Sequence, residues 1–224
     1  MPNQTLVGTS CHCARSSLRG SRPHSSIVRF AMDTIILMGP IGVGKTTQAQ
    51  LLSKELSAPV CTYDQVKYEY RKNIGFDPKM ATEIHDSKGL YAMLCYMNEF
   101  KAKTLAPIIE DYPGHIIDLG GGAQCFDEPH QVEMARKAFE KIENVILLMP
   151  TNSVPESQEY LAHIREKYPI NDYLIEHDTN EILAKKVVYT LGKAPEETMA
   201  EIICQISKPN KASQPTPKSG AAEL

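Results

Sequence analysis

The stretch "TIILMGPIGVGKTT", residues 34–47, decides the fold class. It opens with a short apolar run bounded by a glycine, which predicts a buried β-strand. The pattern G-x-x-x-x-G-K-T follows at Gly39, Gly44, Lys45 and Thr46, and a helical pattern comes directly after it. A strand, a glycine-rich loop and a helix in this order predict a phosphate-binding loop, because successive N–H groups and the helix N-terminus face the anion.

The loop predicts a nucleotide site with a magnesium ion. Lys45 is expected to bridge the β- and γ-phosphates of ATP, and the Thr46 hydroxyl is expected to hold Mg²⁺. The guanine-reading pattern N-K-x-D of switch GTPases is absent from the sequence, and the chain is short for a large motor ATPase. We therefore expect a small kinase. The predicted cofactor residues of the loop are Gly39, Gly42, Val43, Gly44, Lys45, Thr46 and Thr47.

Composition and charge exclude two classes of partner. The 224 residues are 42 % hydrophobic, and no apolar run approaches the roughly 20 residues that span a membrane. The net charge is −3, although residues 1–32 carry four arginines and no acid. The rest of the chain is therefore more acidic than the total indicates, which argues against nucleic acid. We expect neither nucleic acid nor a membrane as partner, and a monomer or weak dimer.

The two ends of the chain differ from its centre. Residues 1–31 are rich in Ser, Arg and Gly and resemble an organellar transit peptide, or precede a true start at Met32. We favour the second alternative and a cytoplasmic location, with organellar import if the leader is genuine. Residues 207–224 are predicted to be a disordered tail. This leaves 32–206 as one kinase domain.

The six cysteines are scattered along the sequence and form no paired motif. Cys11, His12 and Cys13 are close enough together to ligate a soft metal ion, but nothing downstream supplies matching ligands. We expect a reduced protein with buried thiols and no metal at this site.

Apolar strand patterns alternate with helical patterns through the centre, which predicts a parallel sheet with helices on both faces. Ligands of such sheets bind beyond the carboxyl ends of the strands. The predicted strands are 34–38, 59–63, 115–118, 144–150 and 185–190. The predicted helices are 46–56, 64–72, 89–111 (kinked or divided at Pro107), 129–141, 155–167, 179–186 and 195–206.

Two acids and a glycine triplet lie at the predicted carboxyl edge. Asp64 ends the second strand and is expected either to accept the proton of an acceptor hydroxyl or to cap the next helix. Asp118 ends the third strand and is expected to hold Mg²⁺ through water, with a capping or turn role as the alternative. Three consecutive glycines, 120–122, predict a backbone that another group approaches closely.

Four features together resemble shikimate kinase and its relatives in the nucleoside-monophosphate-kinase-like group. They are "GPIGVGKTT", Asp64, "LGGGA" and "VVYTLGKAPEETMAEII". The resemblance covers about residues 32–206. It implies a three-layer α/β fold with a five-stranded parallel sheet of order 2-3-1-4-5. It also implies transfer of the γ-phosphoryl group of ATP to a small-molecule hydroxyl under a mobile lid, here about 151–172.

The same resemblance assigns further residues. Asp64 matches the aspartate that contacts the substrate hydroxyl, and Gly120, Gly121 and Gly122 match a substrate-contacting triplet. Residues 193–195, which include Pro195, would flank the adenine. Kinase lids supply an arginine to the migrating phosphoryl group, and Arg165 is our candidate, with an exposed charge on an amphipathic helix as the alternative.

The sequence departs from the family at the acceptor. Shikimate kinases hold the substrate carboxylate with two arginines, and at those places this chain has "NEFKAKT" and "PINDYLIEH". Lys101 or Lys103 is the nearest cation, and Lys does not replace the arginine fork. The residues therefore indicate kinase chemistry without indicating shikimate. A nucleoside or nucleotide kinase, and an ATP-binding regulatory module without turnover, are the alternatives; scarce arginines disfavour a phosphate-bearing acceptor.

Two further groups of polar residues have structural interpretations. His177, Asp178 and Asn180 are expected to cap the helix at 179–186, with substrate contact as the alternative. Five tyrosines are expected to lie mostly in the core or at its edge, with a place in the acceptor pocket as the alternative. They are Tyr63, Tyr68, Tyr70, Tyr91 and Tyr96.

Overall fold

The structure is a computed structural model that describes residues 33–206, apart from the side chain of Arg165. The predictions for residues 1–31 and 207–224, and for the cysteine pair near the start, lie outside the described residues. Within 33–206, no helix is long and apolar enough to cross a membrane.

Five parallel strands form one sheet, as predicted. Its order is β2-β3-β1-β4-β5, which is the order that the family resemblance implied. Every neighbouring pair is parallel, so the carboxyl ends of all five strands lie at one edge. The strands are β1 Ile35–Met38, β2 Val60–Thr62, β3 Ile116–Asp118, β4 Asn144–Met149 and β5 Lys186–Tyr189.

Helices connect the strands and cover both faces. Long helices carry the connections on the β2 side, and short ones fill the segment between β4 and β5. The helices are α1 Lys45–Leu56, α2 Tyr63–Asn73, α3 Pro78–Lys88, α4 Leu90–Asp111, α5 Pro129–Phe139, α6 Val154–Tyr160, α7 Ala162–Arg165, α8 Asn171–Glu176, α9 Thr179–Leu183 and α10 Pro195–Ile206.

The central strand β1 is buried on both faces. Ile36 and Met38 belong to the larger core, which α4 and α5 cover, and Leu37 belongs to the core under α1 and α10. Successive side chains of a strand point to opposite faces, so a strand between two helical layers needs apolar residues at every position. This is why the sequence of β1 is an uninterrupted apolar run.

Two helix predictions are wrong or incomplete, and two helices, α3 and α8, were not predicted. Residues 155–167 do not form one helix, because the chain turns at Leu161, whose side chain is buried in the core between α6 and α7. The predicted helix 179–186 ends at Leu183, because Lys186 already pairs with β4. Helix α3 has no counterpart among the predictions, although Asp77 caps it by accepting a hydrogen bond from the Lys79 N–H.

The stretch 89–111, for which the sequence left two alternatives, is one helix. Helix α4 runs for 22 residues with Pro107 inside it.

Two expectations about burial hold only in part. Cys61 and Cys125 are buried as expected, whereas Cys95 and Cys204 are exposed. Tyr63 is buried, whereas Tyr68 and Tyr91 are among the exposed large side chains.

Leu52 tests the core between α1 and the sheet, because its side chain is fully buried there. Leu52→Ala leaves a cavity that the packed helix cannot fill, so the free energy of unfolding should fall by about 2–5 kcal/mol. Urea denaturation would measure this as a lower midpoint with an unchanged slope. Leu90→Ala, at a side chain 39 % exposed, is the matched control and should cost under about 1 kcal/mol. Equal losses in both variants would contradict this description of the core.

Candidate active site

The phosphate loop between β1 and α1 is shaped by glycines with positive φ angles. Gly39 has φ +142°, and a Cβ there would lie 2.3 Å from the carbonyl oxygen of Leu148 on β4. Gly42 has φ +84°, and a Cβ there would overlap the side chain of Ile164. The loop is therefore held against β4 below and covered by α7 above.

Lys45 lies folded beneath this loop. Its Nζ donates hydrogen bonds to the carbonyl oxygens of Gly39 (3.0 Å) and Pro40 (2.7 Å), and the residue is 6 % exposed. Burial lowers the pKa of Lys45 from 10.5 to about 8, and the negative charges of Asp118 and Asp64 oppose this shift. The lysine predicted to bridge phosphates thus lies close to both predicted acids.

Thr46 and Asp118 lie in hydrogen-bond contact, and their role in metal binding stays a prediction. The Thr46 hydroxyl donates to Oδ2 of Asp118 at 2.6 Å, and the Gly120 N–H donates to Oδ1 at 3.0 Å. Among residues 33–206 no group of three or more His, Cys, Asp or Glu side chains is placed to hold a metal ion. A hydroxyl and one carboxylate are hard oxygen donors of the kind that Mg²⁺ takes from a protein when phosphates supply other ligands.

Asp64 lies at the carboxyl end of β2, in the first turn of α2. Its interpretation as the helix cap is wrong, because Thr62 is at the capping position and no side-chain capping bond is present. The carboxylate instead pairs with Lys67 at 2.5 Å and is about half exposed. It occupies the space over Gly120, whose φ is +69° and whose Cβ would lie 2.3 Å from Oδ2. Gly120 therefore makes room for the predicted catalytic carboxylate.

The other two glycines of the triplet make room for apolar side chains. A Cβ on Gly121 would lie 2.3 Å from Cγ1 of Ile41, and one on Gly122 would lie 2.7 Å from Cδ2 of Leu174. The triplet thus packs against the phosphate loop and α8. Gly121 and Gly122 also line a cavity, so their predicted contact with substrate stays a prediction.

This cavity lies beside the triplet and Asp64, and it is the candidate acceptor site. Its enclosed volume is about 160 Å³, which is enough for a small molecule and is below the roughly 300–1,000 Å³ of pockets for drug-sized ligands. Most of the wall is apolar, with contributions from α2, α4 and α8. The charged side chains that line it are Asp64, Lys67, Arg71 and Lys101.

The cavity also decides between the two candidate lysines. Lys101 donates hydrogen bonds to the carbonyl oxygens of Gly122 (2.9 Å) and Cys125 (3.2 Å), and burial lowers its pKa to about 8. Lys103 instead pairs with Glu99 and is about half exposed. Lys101 is therefore the cation of "NEFKAKT" that reaches the site.

Arg71 was given no role from the sequence, yet it is buried in the wall of this cavity. Its position contains a signal that was missed. Arg71 lies seven positions after Asp64 in the sequence. This spacing is about two helical turns, so the two side chains share one face of α2. A cation two turns after a candidate catalytic acid is a pattern that sequence reasoning can look for.

Asn171 is a second residue that the sequence analysis missed. It is 1 % exposed and binds the backbone of Ile41 twice: its Oδ1 accepts from the Ile41 N–H at 2.9 Å, and its Nδ2 donates to the Ile41 carbonyl at 3.2 Å. The start of α8 is thereby fixed to the phosphate loop. The predicted lid segment 151–172 touches the loop at two points, through Ile164 and Asn171.

The remaining predicted residues border the site to different degrees. Pro195 begins α10, and its carbonyl accepts a hydrogen bond from Gln48 of α1 at 3.0 Å, so the 193–195 turn lies next to the phosphate-loop helix. Its contact with adenine stays a prediction. Thr47 is exposed at the start of α1. Arg165 ends α7, and its side chain lies outside the described residues.

The polar cluster before β5 is structural in part. His177 accepts a hydrogen bond from the Thr179 N–H at 3.2 Å, which is a capping contact for α9. Asp178 makes no such bond, so its capping role is wrong. Asn180 is buried and donates to the Leu174 carbonyl at 2.7 Å, so it ties α9 to α8.

Of three comparisons with known proteins, one finds similarities. No family model and no curated protein sequence matches the chain. Among solved structures it is similar to the shikimate kinase from Acinetobacter baumannii in complex with shikimate, with 16 % identity, a TM-score of 0.49, and 78 % of this chain and 93 % of that chain covered. Identities and TM-scores this low leave the reaction and the substrate to be decided by the site itself.

Two other kinases give similar values. A gluconokinase from Sinorhizobium meliloti 1021 has 14 % identity and a TM-score of 0.48, with 80 % of this chain and 93 % of that chain covered. The APS kinase from Mycobacterium tuberculosis, in complex with AMPPNP and APS, has 13 % identity and a TM-score of 0.46, with 79 % and 98 % covered.

The two hydrogen bonds between Asn171 and the backbone of Ile41, which we call the Asn171 clasp, should protect the phosphate loop from hydrogen exchange. In Asn171→Ala the Ile41 N–H loses its acceptor, so its hydrogen exchange should accelerate about tenfold, the equivalent of one ordinary hydrogen bond. Mass spectrometry of peptides that cover 36–44 would measure it. Asn152→Ala, at an exposed position of the same segment, is the control and should leave this exchange unchanged. Unchanged exchange in Asn171→Ala would contradict the clasp.

The lowered pKa of Lys101 predicts a pH-dependent stability. Between pH 8 and 10.5 the unfolded chain keeps the proton that the folded chain has lost, so the free energy of unfolding should rise with pH. By about pH 9.5 the wild type should gain about 1–2 kcal/mol relative to Lys101→Met. Urea unfolding of both proteins at several pH values would measure the difference.

Lys103→Met, at a half-exposed lysine of the same helix, is the matched control for the substitution. A pH-independent difference between the wild type and Lys101→Met would show that burial does not shift the Lys101 amine.

Proposed function

We propose that this protein is an ATP-dependent kinase that transfers a phosphoryl group to a hydroxyl of a small molecule. One observation carries the proposal: Lys45, the Thr46–Asp118 pair and Asp64 lie at one carboxyl edge of the sheet, and the carboxylate of Asp64 faces a cavity of small-molecule size. The phosphate loop by itself indicates a nucleotide. The cavity beside it indicates a second substrate.

The nucleotide half of the site would work through charge. The N–H groups of the loop and the N-terminus of α1 would receive the phosphates, and Lys45 would leave the carbonyls of Gly39 and Pro40 to bind them. The residues present fit Mg²⁺, because Thr46 and Asp118 offer hard oxygen donors. When bound, the ion would neutralise charge on the phosphates.

The acceptor half would work through Asp64. Its carboxylate would orient the acceptor hydroxyl and accept its proton, while the hydroxyl oxygen forms a bond to the γ-phosphorus. The bond between that phosphorus and the bridging oxygen breaks, and ADP leaves with the electron pair. Lys67, which pairs with Asp64, would hold the carboxylate in position beside the cavity.

The exclusion of water from the site would depend on the predicted lid segment 151–172, which lies over the phosphate loop. Ile164 covers Gly42, and Asn171 fastens α8 to Ile41, so the site is covered from the β4–β5 side. A kinase needs this cover, because water competes with the acceptor for the phosphoryl group.

Release of ADP across a broad set of small hydroxylated molecules tests the proposal. The rate should rise sharply with one acceptor class, and Lys45→Met should lower that rate by at least about 1,000-fold, because charge on the migrating group is no longer neutralised. Asp64→Asn should lower kcat about 100-fold or more while nucleotide binding persists, because the proton acceptor is lost. A coupled assay for ADP measures both.

Lys54→Met, an exposed lysine on the same helix as Lys45, is the matched control and should retain the rate. A slow rate that does not depend on any acceptor would contradict the proposal. Tight nucleotide binding without turnover would instead favour the ATP-binding regulatory module, and turnover with nucleosides or their monophosphates would favour the nucleotide-kinase alternative.

A further inference from the structure

Arg71 is a buried cation with most of its hydrogen-bonding capacity unused. The residue is 1 % exposed, and its Nη2 donates to the Tyr63 hydroxyl at 3.0 Å. Its Nε and Nη1 are buried and have no hydrogen-bond partner within 33–206. These two nitrogens carry three of the five N–H bonds of a guanidinium group.

Such a placement is costly for a structural residue. A buried charge is normally paired with an opposite charge or fully hydrogen-bonded, and native structures leave few buried donors unsatisfied. The cations near Arg71 do not share this property: Lys67 pairs with Asp64, and Lys101 donates to two backbone carbonyls. Of these three cations, Arg71 alone has buried nitrogens with no hydrogen-bond partner within 33–206, so it is the one whose partner is expected to come from outside the chain.

The guanidinium group is held in position while its donors are free. It lies over the rings of Tyr63 and Phe76, at 5.7 Å and 5.6 Å from the ring centroids, and these contacts restrict its plane. The Tyr63 hydroxyl is in turn within 3.3 Å of Thr104 Oγ1. A cation that is fixed and desolvated before its anion arrives binds that anion with little loss of side-chain entropy.

The geometry points to one ligand for Arg71 and Asp64. Both line the same cavity, and their Cα atoms are about 10 Å apart along α2. An anionic group at Arg71 and a hydroxyl at Asp64 can therefore belong to one small molecule, with several bonds between them.

We propose that Arg71 binds the carboxylate of the acceptor, so that the substrate is a small hydroxy acid. This inference rests on the proposed kinase function. The planar guanidinium matches a carboxylate, and a single free cation suits one negative charge. A phosphate carries nearly two charges, and the Asp64 carboxylate in the same cavity would repel it. Neither family arginine is present, so Arg71 acts from a different helix position.

Binding tests the proposal without requiring turnover. Melting temperatures are measured with a panel of hydroxy acids that includes gluconate and shikimate, with the neutral counterparts glucitol and methyl shikimate, and with glycerol phosphate. At least one acid should stabilise the wild type, while its neutral counterpart and the phosphate should not. Arg71→Met should abolish this response, whereas Arg136→Met, at an exposed arginine of α5, should retain it.

The same variants separate ligand binding from a structural role. Without ligand, Arg71→Met should be as stable as the wild type or more stable, because an unpaired buried charge is replaced by an apolar chain of similar length. A structural arginine would instead lower the melting temperature. Arg71→Lys keeps the charge and loses the planar fork, so kcat/KM for the acid should fall about 10- to 100-fold with an unchanged KM for ATP.

The outcomes for the two proposals differ. If no acid of the panel binds, or if acids bind equally well to Arg71→Met, the role of Arg71 is overturned, while turnover of a neutral acceptor would leave the kinase proposal intact. If an acid binds through Arg71 but ADP release stays independent of it, the acid site stands and the kinase proposal fails.

Discussion

The register of the parallel sheet is the constraint on which the site depends. Asp118 pairs with Leu37 of β1 on one side and with Thr62 of β2 on the other, so the ends of three strands lie at one level. The next residues of each strand enter the site together: the phosphate loop after β1, Asp64 after β2 and the glycines after β3. A shift of one residue in β3 would turn Asp118 to the other face of the sheet and away from Thr46.

Close packing explains why the loops carry so many glycines. The space that a side chain on Gly120 would need holds the carboxylate of Asp64, and the space above Gly42 holds Ile164. These two glycines thus admit side chains from other elements. Glycines make the unfolded chain more flexible, so ordering the loop on folding costs more conformational entropy. The hydrogen bonding of Asn171 to Ile41 holds the loop in place, which its own glycines do not do.

The charges of the site fall into satisfied and unsatisfied groups. Lys45 and Lys101 are bonded to backbone carbonyls, and burial lowers the pKa of both, so each is neutralised more easily than a surface lysine. Asp64 has Lys67 as its partner. Arg71 has one hydrogen bond and an otherwise apolar and aromatic surrounding. Arg71, with two nitrogens unpartnered among the described residues, lies in the cavity wall beside the satisfied Lys101, and the satisfied Lys45 lies under the loop.

Local sequence patterns determined the sheet and its strands, because a strand between two helical layers must be apolar throughout. They also determined the phosphate loop, because a loop around a phosphate must contain glycines at fixed intervals. The same patterns picked out Asp64 and Asp118, since each acid lies at the carboxyl end of a predicted strand. Only the tertiary structure decided what meets in space: Asn171 on Ile41, Leu161 buried between two short helices, and Arg71 with two buried nitrogens that have no partner within 33–206. Whether a buried charge is paired depends on elements far apart in the chain, and no local pattern contains that information.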